Sequence, residues 1–432
     1  MNKLLKLLGV AAISLLLAAC GGNKNNTPPA NLRFVNAAQN DSLTLSLNGS
    51  PAFSGTAPAS ASSYASITAG NYTISVTGAT GTVVAPAFTF TLSGGLNYSI
   101  VAYVRNGAVI TELINENQTV PTAGYGTLGM TNMSPDSGAL DLYLVLPGTT
   151  DLSGQAPLFT AAVFKGSPVW TTLRAGTFDV IVTAAGNQSD VRMRVPSLTL
   201  GGGQVMMLGF TSTGAGSLVD AILLNQGGSV QLVNTTFARV RMASALPVAG
   251  ATNVDATVGT VNFTPVFAPN PGTYTLVAGG TSTYSISIGG TPIASLPAAT
   301  FNAGGDFTVL VYGTVATPSV AVFTDNNQLP VVGGDVKLRL INAAVSDPGG
   351  LTLSDNGVTV ASAVGYGQAS PYFGVATSPQ SVLNLIQPSV GLRSTTVSLT
   401  PAGSVFSIFV INIPDSTDPT KNVPTLFPIR DR

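Results

Sequence analysis

The chain has 432 residues, with 17 Lys or Arg against 18 Asp or Glu and a formal net charge of −1. With so even a balance and no basic cluster, it lacks the electrostatic footprint of a nucleic-acid-binding protein. It contains no histidine and one cysteine, which removes Ser-His-Asp and Cys-His triads, most zinc sites and any intramolecular disulfide.

The first element is a leader. Met1-Asn2-Lys3-Leu4-Leu5-Lys6 is a short positive stretch, and Leu7 to Leu17 is apolar apart from Gly9 and Ser14. Spanning a bilayer as a helix takes about 20 apolar residues, so this run is too short to be a stable span and suits a cleaved signal peptide. Leu17-Ala18-Ala19-Cys20 resembles the lipobox of bacterial lipoproteins. The resemblance implies cleavage before Cys20, a lipid on its sulfur as the membrane attachment, and often acylation of the new N-terminus. Two or three acyl chains anchor a protein firmly where one does not. The absence of an aspartate after the cysteine, where Gly21 stands, implies the outer membrane by the same resemblance. Residues 20–30 are Gly/Asn/Pro-rich and are expected to form a flexible tether behind the 1–19 signal peptide.

Four repeats follow. Leu32-Arg33-Phe34-Val35-Asn36-Ala37-Ala38 leads to Leu43-Thr44-Leu45-Ser46-Leu47-Asn48-Gly49, and Leu338-Arg339-Leu340-Ile341-Asn342-Ala343-Ala344 leads to Leu351-Thr352-Leu353-Ser354-Asp355-Asn356-Gly357. Weaker copies open at Leu128-Gly129-Met130-Thr131-Asn132-Met133 and Val240-Arg241-Met242-Ala243-Ser244-Ala245. Period-two alternation in Leu43–Leu47 turns the leucines to one face, and Asn-Gly is a tight-hairpin signal. Later landmarks recur in order. Ala69-Gly70-Asn71-Tyr72, Ala175-Gly176-Thr177-Phe178 and Pro271-Gly272-Thr273-Tyr274 read as a turn entering a strand. Gly94-Gly95, Gly202-Gly203, Gly304-Gly305 and Ala402-Gly403 each precede a buried apolar strand. Asn117-Gln118, Asn225-Gln226 and Asn327-Gln328 read as a polar closing turn.

A repeat of roughly one hundred residues suits a sandwich of about seven strands. The expected fold is therefore all-β: about four tandem immunoglobulin-like β-sandwich modules at 31–121, 122–230, 231–331 and 332–432. Their short junctions predict modules stacked end to end as a rod or packed in two pairs.

Met133-Ser134-Pro135-Asp136-Ser137-Gly138-Ala139-Leu140-Asp141-Leu142-Tyr143-Leu144 resembles domain of unknown function 4397 in its small-Ser-Pro-Asp turn and the strand after it, and the Ala-Gly-x-Tyr/Phe turn resembles that family's next element. The resemblance extends to most of the chain beyond the tether, at about four modules. The first and fourth diverge where Asn36-Ala37-Ala38 and Asn342-Ala343-Ala344 replace the turn. It implies secreted or surface-anchored β-sandwiches and carries no catalytic residues.

Candidate chemistry is sparse. Gly124-Tyr125-Gly126-Thr127-Leu128-Gly129 matches a dinucleotide-loop spacing but runs into a strand rather than a helix. Ser354-Asp355-Asn356 matches one triplet of penicillin-recognising enzymes without their other motifs; the repeat makes it a hairpin end. Carboxylates remain for a glycosidase or a calcium site: Asp136 with Asp141, Asp415 with Asp418, and Asp325-Asn326-Asn327. Asp136 also suits an Asx turn bonding its own backbone. Tyr72, Phe178 and Tyr274 read as core because they recur. Trp170 does not recur, which makes it the aromatic best suited to a glycan platform. The overall expectation is a lipid-anchored cell-envelope protein, not an enzyme, with no metal or cofactor, acting as a structural module or as a binder of an envelope protein or glycan. The alternative is a carboxylate-dependent hydrolase acting on polysaccharide.

Overall fold

The computed structural model describes residues 27–38, 41–105, 108–247, 253–268, 271–345, 350–387, 391–414 and 422–432. Cys20, Asp415 and Asp418 lie outside them. Within them the regular structure is β throughout, apart from one 3-10 turn at Pro135–Ser137. No helix among the described residues is long and apolar enough to cross a membrane.

The first module sets the plan. Its strands are β1 (Ala30–Asn36), β2 (Leu43–Leu47), β3 (Ser50–Thr56), β4 (Ser60–Ala61), β5 (Ala65–Ile67), β6 (Gly70–Thr77), β7 (Val83–Leu92), β8 (Asn97–Arg105) and β9 (Ala108–Asn115). One sheet runs β4-β1-β8-β9, with β5 also on β1; the other runs β3-β2-β6-β7. Leu32, Phe34, Leu43, Leu45, Ile74, Val76 and Ile100 fill the space between them and are inaccessible to solvent. Burying each such side chain contributes roughly 1.5–3 kcal/mol. Asn48-Gly49 makes the β2–β3 hairpin with φ of 49° and 80°, the positive pair that a tight turn of this hand demands.

The other three modules repeat this two-sheet sandwich, each around its own apolar cluster. In every module the first strand lies parallel to a late strand, the penultimate one in modules 1, 3 and 4 and the third from last in module 2, where Val230–Val233 adds an edge strand. Arg33 faces Ser99, Gly129 faces Met207, Arg241 faces Thr308 and Arg339 faces Ser407. The turn entering this parallel partner is the same each time. Gly95, Gly203, Gly304 and Gly403 have φ near 80°, and each donates its N–H back to the chain before or at the start of the first strand: to Pro29, Tyr125, Phe237 and Asp335.

The first strand ends in an asparagine that ties the two sheets together. Asn36 Nδ2 donates to the carbonyls of Asp41 and Thr56, while its Oδ1 accepts from the Ala38 N–H. Asn132 and Asn342 do the equivalent. In the third module Ser244 stands there, and its buried hydroxyl finds no partner among the described residues.

The modules pack in two pairs. The outer face of the β1 sheet in module 1, carrying Val35, Val101 and Tyr103, meets Met133, Met207, Ile222 and Leu224 of module 2. The same face of module 3, carrying Ala243 and Leu310, meets Ile341, Phe409 and Ile411 of module 4. A different surface joins the pairs: Tyr143, Val145 and Ile181, on the second sheet of module 2, pack against Leu276 of module 3.

Candidate functional site at the module junctions

An arginine at one shared register of the first strand in three modules organises the junctions. Strand residues alternate faces, so the residue between Leu32 and Phe34 points away from its own core, onto the face that the neighbouring module covers. Arg33, Arg241 and Arg339 are accordingly only 1–2% exposed. A buried guanidinium needs a counter-charge and hydrogen-bond partners, and each module supplies the same set. The parallel neighbour gives a hydroxyl: Arg33 Nε donates to Ser99 at 2.7 Å, Arg241 Nε to Thr308 at 2.8 Å and Arg339 Nε to Ser407 at 2.9 Å. The end of the last strand gives an acid: Glu116, Asp325 and Asp431. The residue before the edge strand gives a tyrosine whose ring lies under the guanidinium: Tyr64 at 4.5 Å, Tyr274 at 4.8 Å and Tyr372 at 4.8 Å. Such stacking adds about 0.5–2 kcal/mol.

The arginines reach across the junctions. Arg33 pairs with Glu116 at 2.6 Å and also donates to the carbonyls of Gly228 and Asn225 in module 2. Between modules 3 and 4 the pairing is exchanged. Arg241 binds Asp431 of module 4 at 2.6 Å, while Arg339 of module 4 binds Asp325 of module 3. Tyr274 donates to Asp325 at 2.6 Å and Tyr372 to Asp431 at 3.4 Å. Burial pushes all three tyrosines above their ordinary range, reinforced by Glu116 at Tyr64 and Asp325 at Tyr274, so they stay protonated donors.

Module 2 replaces the whole set at once. Gly129 stands where the arginine would be, Met207 for the hydroxyl, Gln226 for the acid and Trp170 for the tyrosine. The indole occupies the space of the missing side chain: a Cβ on Gly129 would sit 2.4 Å from the Trp170 ring. Gln226 exchanges two hydrogen bonds with the backbone of Gln118 in the 1–2 junction.

Modules 2 and 3 add a second cluster. Arg239 binds Asp306 at 2.7 Å and Asp190 at 2.8 Å, and Asp190 also holds Arg192 at 2.6 Å. Burial alone would raise the Asp306 carboxyl, but Arg239 and the Asn327 amide hold it below the usual carboxylate range.

The residues singled out in the sequence fall into this picture unevenly. Asp136 makes no Asx turn: it lies buried in the 3-10 turn and accepts from the Leu329 N–H at 2.9 Å and the Ser212 hydroxyl at 3.2 Å, joining module 2 to the segment between modules 3 and 4. Asp141 instead accepts from the Ala161 and Gly186 N–H groups within module 2. The two carboxylates share no partner. In Asp325-Asn326-Asn327, Asp325 is the acid of the exchanged pair, Asn326 receives Lys337 Nζ at 2.9 and 3.0 Å, and Asn327 donates to Asp306 at 2.8 Å. No group of three acidic side chains placed to hold a metal occurs among the described residues.

Tyr72 and Phe178 pack against their cores as expected. Tyr274 does not: it precedes an edge strand, as Tyr64 and Tyr372 do, so the Pro-Gly-Thr-Tyr landmark is a coincidence of sequence rather than of position. Trp170 does recur in place, as the aromatic partner of the first strand. Gly126 and Gly129, from the dinucleotide-like spacing, lie in the strand Tyr125–Asn132 and are small because Leu200 and Trp170 lean on them. Ser354-Asp355-Asn356 is a hairpin end, with Asn356 at φ 48°.

The arginine clusters themselves escaped the sequence reading. Their signal was present: a lone arginine between two core residues at one register in three of four repeats, with glycine in the fourth.

Residues 30–143 match the family model of Domain of unknown function (DUF4397), which spans module 1 and the opening of module 2. No curated protein matches the chain. Among solved structures, the Bacillus anthracis TIE protein is similar over 90% of this chain and 74% of its own, at 10% identity and a TM-score of 0.15; at that TM-score the likeness carries no argument.

Proposed function

We propose that this chain, with a DUF4397 module at its head, is a lipid-anchored arm of the bacterial cell envelope. Cys20 carries the lipid, residues 20–30 form the tether, and the four sandwiches are held out as a unit that offers its end loops and clefts to an envelope protein or glycan. The observation that carries this reading is the use made of charge. The chain has few ionisable groups, and its buried arginines are spent with their acids at the module junctions, while Asp141, Asp220 and Asp355 are buried within their own modules. Asp325, Asp431 and Asp306 are each held by arginine, which suits them to fixing relative orientation and not to passing protons. Replacing such pairs by apolar residues is often neutral for stability, whereas breaking one is costly, so their contribution is chiefly to register.

The test is metabolic labelling with palmitate and membrane fractionation of cells making the chain or its Cys20→Ala variant. The wild type should take up label and sediment with outer-membrane markers, and the variant should lose the label. A variant that remains labelled, or a wild type that never is, sinks the reading.

A further inference from the structure

Three open clefts flank the arginine–tyrosine clusters. The one beside Arg33 has a volume of about 440 Å3 and the one beside Arg339 about 420 Å3, and each is lined by a single arginine. The third, about 560 Å3, lies where modules 2, 3 and 4 meet, and four arginines line it: Arg194, Arg239, Arg241 and Arg430. Against these four guanidiniums the lining offers two carboxylates, Asp190 and Asp431. Both are already engaged, Asp190 by Arg192 and Arg239 and Asp431 by Arg241. Arg194, half-buried, and Arg430, exposed, form no side-chain ion pair within 4 Å among the described residues; Asp179 lies near enough to Arg194 to favour its charge, and Arg430 Nε donates to the Arg432 carbonyl at 2.7 Å, which leaves its two terminal nitrogens for a ligand.

Arg239 and Arg241 are thus each satisfied twice, from behind the lining by Asp306 and Asp325 and at the lining by Asp190 and Asp431, while Arg194 and Arg430 keep guanidinium nitrogens turned to the cleft without an ion pair. Just behind the cleft, burial together with the neighbouring Arg239 pushes Arg192 and Arg432 down to about 10. Arg192 Nε is buried without a partner among the described residues. An anion entering the cleft would relieve this crowding of cations.

We propose that this cleft binds the carboxylate-bearing unit of an acidic saccharide. Guanidiniums pair with carboxylates in a planar, two-pronged geometry, and Arg194 and Arg430 are the ones available to do so. Asn187, Ser189 and Thr273 line the same cleft and supply amide and hydroxyl groups suited to sugar hydroxyls. The volume lies within the roughly 300–1,000 Å3 of small-molecule sites and exceeds what a bare oxyanion fills. The proposal makes specific the glycan-binding reading above but does not need the lipid anchor, so its failure and the failure of the anchor are separately visible.

The test is calorimetric titration of the purified full chain in detergent with an oligogalacturonate, with a neutral oligosaccharide of equal length and with inorganic phosphate. The oligogalacturonate should bind saturably, and at least tenfold more tightly than the neutral sugar. Arg194→Gln with Arg430→Gln should weaken it at least tenfold while the chain still melts as a folded protein; Arg194 holds no module junction, and Arg430 gives up one hydrogen bond, to the Arg432 carbonyl. Absence of saturable uronate binding, or equal affinity in the double variant, overturns the proposal. Phosphate binding as tight as uronate overturns it too, since the cleft would then recognise a bare oxyanion.

Discussion

Asp306 shows what one residue does in this chain. It is fully buried, and its charge is tolerable only because Arg239, Ser217 and Asn327 surround it. A carboxyl held below its unfolded value of about 3.9 stabilises the fold above that pH, and the stabilisation is lost as pH falls through the folded value. Chemical denaturation of the wild type should therefore show stability declining below about pH 4. Asp306→Asn should be roughly 3–5 kcal/mol less stable at neutral pH, towards the lower end because Asp190 still serves Arg239, and its acid decline should be shallower. Equal slopes for the two proteins would show that Asp306 is not held as described. At this scale little was legible beforehand. Asp306 reads as a polar strand residue, and its burial follows only from the packing of module 2 against module 3. The asparagine corner was closer to hand: Asn36, Asn132 and Asn342 stand at one repeat position, but their role depends on carbonyls that the fold brings from elsewhere.

At the scale of the strand, the first strand of each module carries two instructions. Its even positions feed the module's own core, and its odd positions dictate how the neighbour sits. In module 2 the second instruction is rewritten by Gly129, whose missing side chain lets Trp170 lie flat against the backbone. Gly129→Ala should therefore lower stability by about 1–3 kcal/mol through overpacking, although alanine ordinarily favours a strand more than glycine does. Gly129→Ala combined with Trp170→Tyr should recover part of that loss, because the other modules seat tyrosine over a residue with a side chain. Thermal melts of the three proteins decide it, and a Gly129→Ala protein as stable as wild type would refute the packing account. Strands were the most legible level. The Asn-Gly hairpins and the glycine before each first strand's parallel partner are backbone requirements that only a few residues meet, so sequence and position coincide there. The Pro271–Tyr274 turn misled because Gly-Thr-Tyr meets no such requirement and recurs by composition.

Across the whole molecule, two like faces meet in each pair, and between modules 3 and 4 they meet with exchanged ion pairs. Arg241→Met with Arg339→Met would leave Asp325 and Asp431 buried without their arginines, each at a loss of roughly 3–5 kcal/mol. Calorimetry should then resolve modules 3 and 4 as a separate transition at lower temperature. A single unshifted transition would show that apolar contact alone couples them. The β-sandwich character and four-fold repetition were legible from period-two alternation and recurring turns. The choice between a rod and paired modules was not, because it rests on the faces that alternate away from the cores, where an arginine reads as solvent-exposed until its acid is located in another module.

The exchanged ion pair also bears on the order in which the chain can mature. Synthesis proceeds from the N-terminus, and domains generally fold as they emerge. Module 3 can close its own sandwich early with Arg241 and Asp325 3.9 Å apart, but Arg241 receives Asp431, and Asp325 receives Arg339, only once residues 335–431 have been made. Until then module 3 presents a half-finished face with charge and apolar surface side by side. A foreign face lacking the matching arginine and acid would leave Arg241 and Asp325 buried with only their own 3.9 Å contact, so the reciprocal lock favours module 4 over any other cover.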